Sequence, residues 1–341
     1  MPEKRVWISF SSVGFLLVIW LLVCVQYKFA FHQALYFFNF RSVTADVTGS
    51  NQTFPYVAFH GAMNDGRRIG NQLFSLAAVI FVAELTNRKA VIPTGIRLTT
   101  EDIFQFNLEH ISNPCPCQTI GERKHLEYDL NTEKLNLSDP KIANQTILVW
   151  GYRQSWKYTL TIERRLRRHL VFKEEIQQFA ESFLRENVPH GWPRVGFVRV
   201  GIHARRGDSL SPHFINYGYT SPNESYFLKA MKYFTDRYSR VQFIVASDDY
   251  GWCKKHITSD SNSSDTVNVT YSYHHRPGQD LALLSMCNHV IMSTGTFGWW
   301  AAWLAMGTTI YYGNWPRSGT TLSRHFSQGD FFPPYWIPMT N

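Results

Sequence analysis

The sequence predicts an α/β protein with parallel sheets, built from two facing Rossmann-like domains and preceded by one transmembrane helix. Two observations predict it. From about residue 56 onward, short apolar runs of strand length alternate with segments whose apolar residues recur at helical spacing. Before that region, one uncharged stretch is long enough to cross a bilayer. The 341 residues, 44% hydrophobic and 18% charged, suffice for two domains with full cores.

The predicted span is the uncharged stretch from Val6 to Val25. A helix of that length reaches about 30 Å, the hydrocarbon thickness of a bilayer. The alternative is a cleaved signal peptide, but its apolar core is shorter and it ends at a small-residue site, which Gln26–Phe29 lacks. Lys4 and Arg5 precede the span, which favours a cytoplasmic N-terminus. We expect a cytoplasmic tail at 1–5, a signal-anchor helix at 6–26 and a stem at 27–55.

Glycosylation signals and cysteines fit a luminal location for the rest of the chain. Six acceptor sequons follow the span, at Asn51, Asn136, Asn144, Asn223, Asn262 and Asn268. Four of the five cysteines also follow it, namely Cys115, Cys117, Cys253 and Cys287. An oxidising lumen permits two disulfides among these four, in any of three pairings.

Two α/β domains follow the stem. The first opens with an apolar strand at Tyr56–Phe59, a glycine-containing turn and a helix. The breaking sequence His190–Pro193 ends a helix at 172–187, so we place the domains at 56–190 and 191–341. In the second domain we predict strands at Arg199–Ile202, Val241–Ala246, His289–Met292 and Thr308–Tyr312, and helices at Glu224–Tyr238, Gln279–Cys287 and Phe297–Ala305.

The segment His203–Asp208 directly follows the first strand of the second domain. Ligands of such domains bind at the carboxyl ends of the strands, where Arg205 and Arg206 could hold a diphosphate with fixed, bidentate donors. His203 and Asp208 could bond a base, a sugar hydroxyl or an arginine. A solvated basic loop, or an adhesion-type tripeptide at Arg206–Asp208, is the weaker interpretation. The net charge of +8 suits an anionic ligand. Nucleic acid is a poor candidate, because the sequence contains no basic run with interleaved aromatic residues.

Two further turns lie between a strand and a helix. In Ser293–Gly298, hydroxyls and free amides at a helix N-terminus could bind phosphate, although Thr296 could simply cap the helix. The turn Arg68–Gln72 would face the second domain across the cleft.

No metal site is expected. No two aspartates are separated by one residue; Asp248 and Asp249 are adjacent and could cap the turn at Trp252. His274 and His275 lack nearby carboxylates and are expected to be solvated, and the Cys115–Cys117 spacing lacks a second ligand pair. A leaving diphosphate would then be stabilised by positive side chains such as Arg205 and Arg206.

In four blocks the chain resembles the galactoside alpha-(1,2)-fucosyltransferase family over roughly residues 56–335. The blocks are Arg68–Gln72, Trp150–Tyr158, Val200–Asp208, and Asp280–Leu284 continuing through Thr294–Ala302. The resemblance implies a GT-B-like fold, with an acceptor-side first domain and a GDP-fucose-binding second domain. It also implies a single-pass type II protein of the Golgi membrane, with its catalytic domain in the lumen. Arg67 stands where the family usually has glycine, a departure that could alter acceptor choice or turn geometry.

The resemblance further implies inverting transfer of L-fucose from GDP-β-L-fucose to the 2-hydroxyl of a terminal galactose, without a metal or other cofactor. Arg205, with Arg206, would neutralise the β-phosphate, and Asp208 is a candidate general base or a brace for the arginines. The implied donor-binding residues are His203, Arg205, Asp280, Ser293, Thr294, Gly295, Thr296, Arg68, Gly70 and Asn71. The alternatives are a GDP-fucose enzyme forming another linkage, including protein or core-glycan fucosylation, and a catalytically silent glycan-binding membrane protein.

Overall fold

A computed structural model describes residues 56–60, 68–106, 108–112, 117–120, 145–259, 265–273 and 276–341, with only the backbone at 117–120. Within these ranges no helix combines the length and apolarity that a bilayer crossing needs. The predicted span and stem lie outside them, as do Asn51, Arg67, Cys115, Asn136, Asn144, Asn262, His274, His275 and the side chain of Cys117. Residues from Phe54 to Asn341 form one compact unit.

The first sheet has five parallel strands in the order β3-β2-β1-β5-β4. The strands are β1 (Val57–Phe59), β2 (Ala90–Pro93), β3 (Glu109–Ile111), β4 (Cys117–Ile120) and β5 (Thr146–Val149). The strand order reverses between β1 and β5, so their carboxyl ends frame a crevice. Helix α1 (Ile69–Leu85) crosses from β1 to β2, and its residues from Leu73 to Ala83 are all buried.

The second sheet has six parallel strands in the order β11-β10-β9-β6-β7-β8. The strands are β6 (Val198–Ala204), β7 (Val241–Ser247), β8 (Val267–Tyr271), β9 (His289–Met292), β10 (Thr309–Tyr312) and β11 (Ile337–Met339). Here the order reverses between β6 and β9, which creates a second crevice at their carboxyl ends. The predicted α/β fold with parallel sheets is confirmed.

The remaining helices connect and cover the strands. They are α2 (Lys157–Leu160), α3 (Glu163–His169), α4 (Glu174–Glu186), α5 (Pro212–Tyr217), α6 (Glu224–Thr235), α7 (Tyr250–His256), α8 (Pro277–Ser285), α9 (Thr296–Ala305), α10 (Thr321–Arg324) and α11 (Gln328–Phe331). Short 3-10 helices occur at Thr99–Asp102 and Asp208–Leu210. Strand β6 is longer than predicted and runs through Ala204, so His203 lies within the strand.

The two halves exchange segments. Helix α4 precedes the second sheet in sequence but packs against α8, and Arg199 at the start of β6 donates a 3.0 Å hydrogen bond from Nη2 to the Leu184 carbonyl. In the other direction, α11 at the end of the chain accepts bonds from the turn after β5. Trp156 donates to Asp330 O at 3.0 Å through its backbone and to Gly329 O at 2.8 Å through Nε1. These exchanges tie the halves together on two sides.

The two disulfides that an oxidising lumen would permit do not both form. Cys253 and Cys287 are both buried free thiols. Burial raises the pKa of Cys253 to about 11 and that of Cys287 to about 12, so both stay protonated and unreactive.

Candidate active site

The carboxyl ends of β6 and β9 meet through Ser293. Its Oγ accepts a 2.8 Å hydrogen bond from the backbone N–H of Arg205, and its own N–H donates to the His203 carbonyl at 2.9 Å. Ser293 is fully buried. The loop after β6 and the turn before α9, both predicted as ligand-binding segments, are therefore one structural unit, and the Ser293 side chain serves to join them.

Arg205 is held by Asp208 in a nearly parallel pairing. Its Nη2 lies 3.1 Å from both carboxylate oxygens of Asp208, and its Nε lies 3.2 Å from Oδ1. The same carboxylate lies 3.0 Å from Nη2 of Arg68, which precedes α1 in the first half. Asp208 thus bridges two guanidinium groups from opposite sides of the cleft. The expected pairing of Asp208 with an arginine is confirmed for Arg205.

The other side of Arg205 is enclosed by Tyr219 and Gly295. The guanidinium carbon lies 5.2 Å from the Tyr219 ring centroid. Burial raises the pKa of Tyr219, so its hydroxyl stays protonated. Gly295 has φ +89°, and a Cβ there would lie 2.6 Å from Nη1 of Arg205. The lack of a side chain at Gly295 therefore permits both the left-handed backbone conformation and the close approach of Arg205.

Arg206 points to a different environment. Its guanidinium lies 3.6 Å from the Trp252 ring centroid, and its Nε lies 3.3 Å from Oδ2 of Asp249. Its backbone N–H donates to Asp248 Oδ1 at 2.7 Å. Asp249 also caps α7, as predicted, because its Oδ1 accepts from the Trp252 N–H at 3.1 Å. Arg206 is thus part of a packed cluster with α7, separate from the pair formed by Arg205 and Asp208.

His203 is a buried, neutral histidine. Burial lowers its pKa to about 4, against a smaller opposing effect of Asp248. Its ring packs on Phe297 with centroids 5.1 Å apart, and its Nδ1 is enclosed with no hydrogen-bond partner among the described residues.

Asn71 joins the two crevices. Its Oδ1 accepts from Thr296 Oγ1 at 3.0 Å and from Gln154 Nε2 at 2.8 Å. Gly70 allows this approach, since a Cβ there would lie 2.5 Å from Thr296 Oγ1. The expectation that Thr296 caps α9 is wrong: the N-cap position is Gly295 and has no side-chain cap, while the Thr296 hydroxyl reaches across to the first half.

The other predicted residues lie beside Ser293, on α8, at the start of α6 and on β8. Thr294 is fully buried and its Oγ1 has no partner within the described part of the chain. Asp280, near the start of α8, accepts a hydrogen bond from Ser272 at the end of β8. Asn223 is exposed and caps α6, and Asn268 lies half-buried in the edge strand β8. The described ranges hold no cluster of three or more residues suited to a metal ion.

Two features of the cluster were not predicted from the sequence: the position of Tyr219 and the contact of Gln154 with Asn71. Gln154 lies in a block that the family resemblance includes, but nothing local shows that it binds a residue 83 positions earlier. Tyr219 follows the six-residue helix α5, which the sequence did not predict, so only the folded chain shows that it meets Arg205.

Comparison with known proteins agrees with this geometry. Residues 30–339 match the family described as glycosyl transferase family 11. The chain is 30% identical to galactoside alpha-(1,2)-fucosyltransferase 2 of Pongo pygmaeus over 269 residues, which are 79% of this chain and 76% of that protein. It is also 30% identical to galactoside alpha-(1,2)-fucosyltransferase 1 of Rattus norvegicus over 275 residues, 80% of this chain and 70% of that one.

The fold has a solved counterpart. The structure of a mutant of Arabidopsis thaliana FUT1 in complex with GDP superposes with a TM-score of 0.54 at 13% identity, covering 86% of this chain and 78% of that one. At that identity the likeness shows the fold alone. The family match and the two relatives carry the assignment. The chain therefore belongs to glycosyl transferase family 11, and within it to the galactoside alpha-(1,2)-fucosyltransferases, as its motifs predict.

Proposed function

We propose that this protein transfers L-fucose from GDP-β-L-fucose to the 2-hydroxyl of a terminal galactose, with inversion and without a metal ion. The observation that carries the proposal is the placement of Arg205. It stands at the crevice between β6 and β9, fixed by Asp208 and bridged through that carboxylate to Arg68 of the first half. Ligands of doubly wound domains bind in this crevice.

Charge development on the leaving diphosphate explains the need for Arg205. As the acceptor oxygen attacks the anomeric carbon, the bond from that carbon to the β-phosphate oxygen breaks and its electron pair stays on GDP. A guanidinium already held in place stabilises this charge without reorganising during the reaction. The amino end of α9 adds partial positive charge next to it. Arg205 and Arg68 supply positive charge that a metal would otherwise have to bring.

The remaining residues of the cluster fit supporting roles. Asp208 already accepts from two guanidinium groups, so it suits positioning Arg205 better than removing the proton from the acceptor hydroxyl. Neutral His203 is a candidate for hydrogen bonding to the guanine of the donor, and Asp280 is a second candidate for that contact. Arg206, packed on Trp252, acts by fixing the loop that carries Arg205.

We further propose that the catalytic part faces the Golgi lumen behind a signal-anchor helix at residues 6–26. The uncharged run from Val6 to Val25 and the basic residues before it support this topology. The exposed position of Asn223 makes it accessible to glycosylation.

The function is tested with the full-length protein in detergent, GDP-fucose and lactose, with and without EDTA. We expect transfer in both conditions and a product whose fucose is α-linked to O2 of galactose in its NMR spectrum. Abolition of transfer by EDTA would contradict the metal-free mechanism, and a different linkage would contradict the assigned acceptor hydroxyl. Binding of galactosides without transfer would indicate a catalytically silent protein.

A further inference from the structure

The segment from Asp208 to Tyr219 forms a small wall beside Arg205. It consists of the 3-10 helix Asp208–Leu210 and α5. Arg317 holds its far end, because its N–H donates to Gly218 O at 2.9 Å and its Nη2 donates to Ile215 O at 2.8 Å. The wall is therefore fixed at both ends, by the Arg205–Asp208 pair and by Arg317.

Aromatic rings lead outward along this wall from Arg205. The Arg205 guanidinium lies over Tyr219, and the Tyr219 ring is stacked with Tyr217 at 6.4 Å between centroids and 26° between planes. Phe214 supports Tyr219 edge-on at 5.1 Å. Tyr219 is half-buried, whereas Tyr217 is 38% exposed. An accessible aromatic ring thus stands two ring contacts from the proposed phosphate-binding guanidinium.

We propose that Tyr217 forms part of the subsite for the terminal galactose of the acceptor. A pyranose has a face of C–H groups and a rim of hydroxyls, and a tyrosine offers a flat apolar ring with a polar end that matches both. The ring contacts with Tyr219 place that subsite beside the donor, where the acceptor oxygen must approach the anomeric carbon. This inference rests on the proposed function.

The test compares Tyr217→Ala with Tyr217→Phe in the full-length protein. We expect Tyr217→Ala to raise the KM for lactose about tenfold, the effect of losing one aromatic contact, while the dissociation constant of GDP stays within about twofold. Tyr217→Phe keeps the ring and should restore the lactose KM to within about threefold of the wild type. Tyr335→Ala is the matched control, because Tyr335 is 52% exposed and lies just before β11, the edge strand farthest from β8 in the second sheet.

Two results would overturn the inference while leaving the proposed function intact. One is an unchanged lactose KM in Tyr217→Ala with normal transfer. The other is an increase in the KM for GDP-fucose or in the GDP dissociation constant, which would assign Tyr217 to the donor. If the wild-type protein neither binds GDP nor transfers fucose, the proposed function fails and the acceptor subsite fails with it.

Discussion

The two adjacent arginines of the loop after β6 contact two different regions of the molecule. The cleft region receives Arg205, which meets Asp208, Tyr219 and Gly295 beside the crevice. The packing region receives Arg206, which is enclosed by Trp252 and Asp249. The side chains of consecutive residues in an extended chain point to opposite sides, so the side chains of the two adjacent arginines enter different surroundings. Two neighbouring like charges thus support two different tasks, ligand charge in one region and loop anchoring in the other.

The largest expected effect is that of Arg205→Ala in the cleft region. We expect kcat for fucosyl transfer to fall by about 10³-fold, because the charge on the leaving diphosphate loses its fixed donor. Arg205→Lys should recover only part of this loss, since an ammonium cannot reproduce the bidentate pairing with Asp208. Steady-state kinetics of the three proteins measure it, and a loss below tenfold in Arg205→Ala would remove Arg205 from the mechanism.

The next expected effect is a pH dependence of stability that arises from the burial of His203. Burial places the pKa of His203 at about 4, below its unfolded value, so only the unfolded chain binds this proton between about pH 6.5 and 4. Stability from this group is therefore complete above pH 6.5 and falls through that window, by on the order of 3 kcal/mol. Urea unfolding of the wild type and His203→Gln at several pH values measures the difference. Equal pH slopes would show that His203 is not buried as a neutral group.

Arg206→Ala tests the packing region. We expect the free energy of unfolding to fall by about 2 kcal/mol, because the variant loses the stacking on Trp252 and the ion pair with Asp249. Arg237→Ala is the matched control: Arg237 also stacks on a ring, Tyr233 at 3.6 Å, but at the surface, where such a contact is worth less than about 1 kcal/mol. Equal losses in the two variants would show that the packing cluster adds nothing beyond a surface contact.

The smallest expected effect separates backbone strain from contact with Arg205. Gly295→Ala and Gly319→Ala both place a side chain at positive φ, +89° and +78°, and each should cost about 1 kcal/mol of stability. Only Gly295→Ala also pushes a Cβ to 2.6 Å from Arg205 Nη1, while Gly319 has open space. We expect about tenfold weaker GDP binding in Gly295→Ala alone, an order of magnitude that corresponds to about 1.4 kcal/mol. Equal GDP affinity in the two variants would show that the Arg205 side chain can move away from the added Cβ without weakening GDP binding.

Local patterns predicted the buried parallel strands but missed strands at the sheet edges. His289–Met292 was predicted with its bounds because it is a short run with a buried apolar centre. Strand β8 was missed because it is an edge strand whose five residues are all half-buried, so it carries no such run. The motif residues His203, Arg205 and Asp208 were found because they follow or end a recognisable strand. Contacts such as Thr296 with Asn71, 225 positions apart, follow from the sheet order and leave no local trace.

The most direct test of the account is a calorimetric titration of GDP, in EDTA, into the wild type, Arg205→Ala and Arg206→Ala. We expect the wild type to bind GDP without metal, Arg205→Ala to lose at least about tenfold in affinity, and folded Arg206→Ala to keep near-normal affinity. Stronger impairment in Arg206→Ala than in Arg205→Ala, or GDP binding that requires a divalent cation, would contradict it.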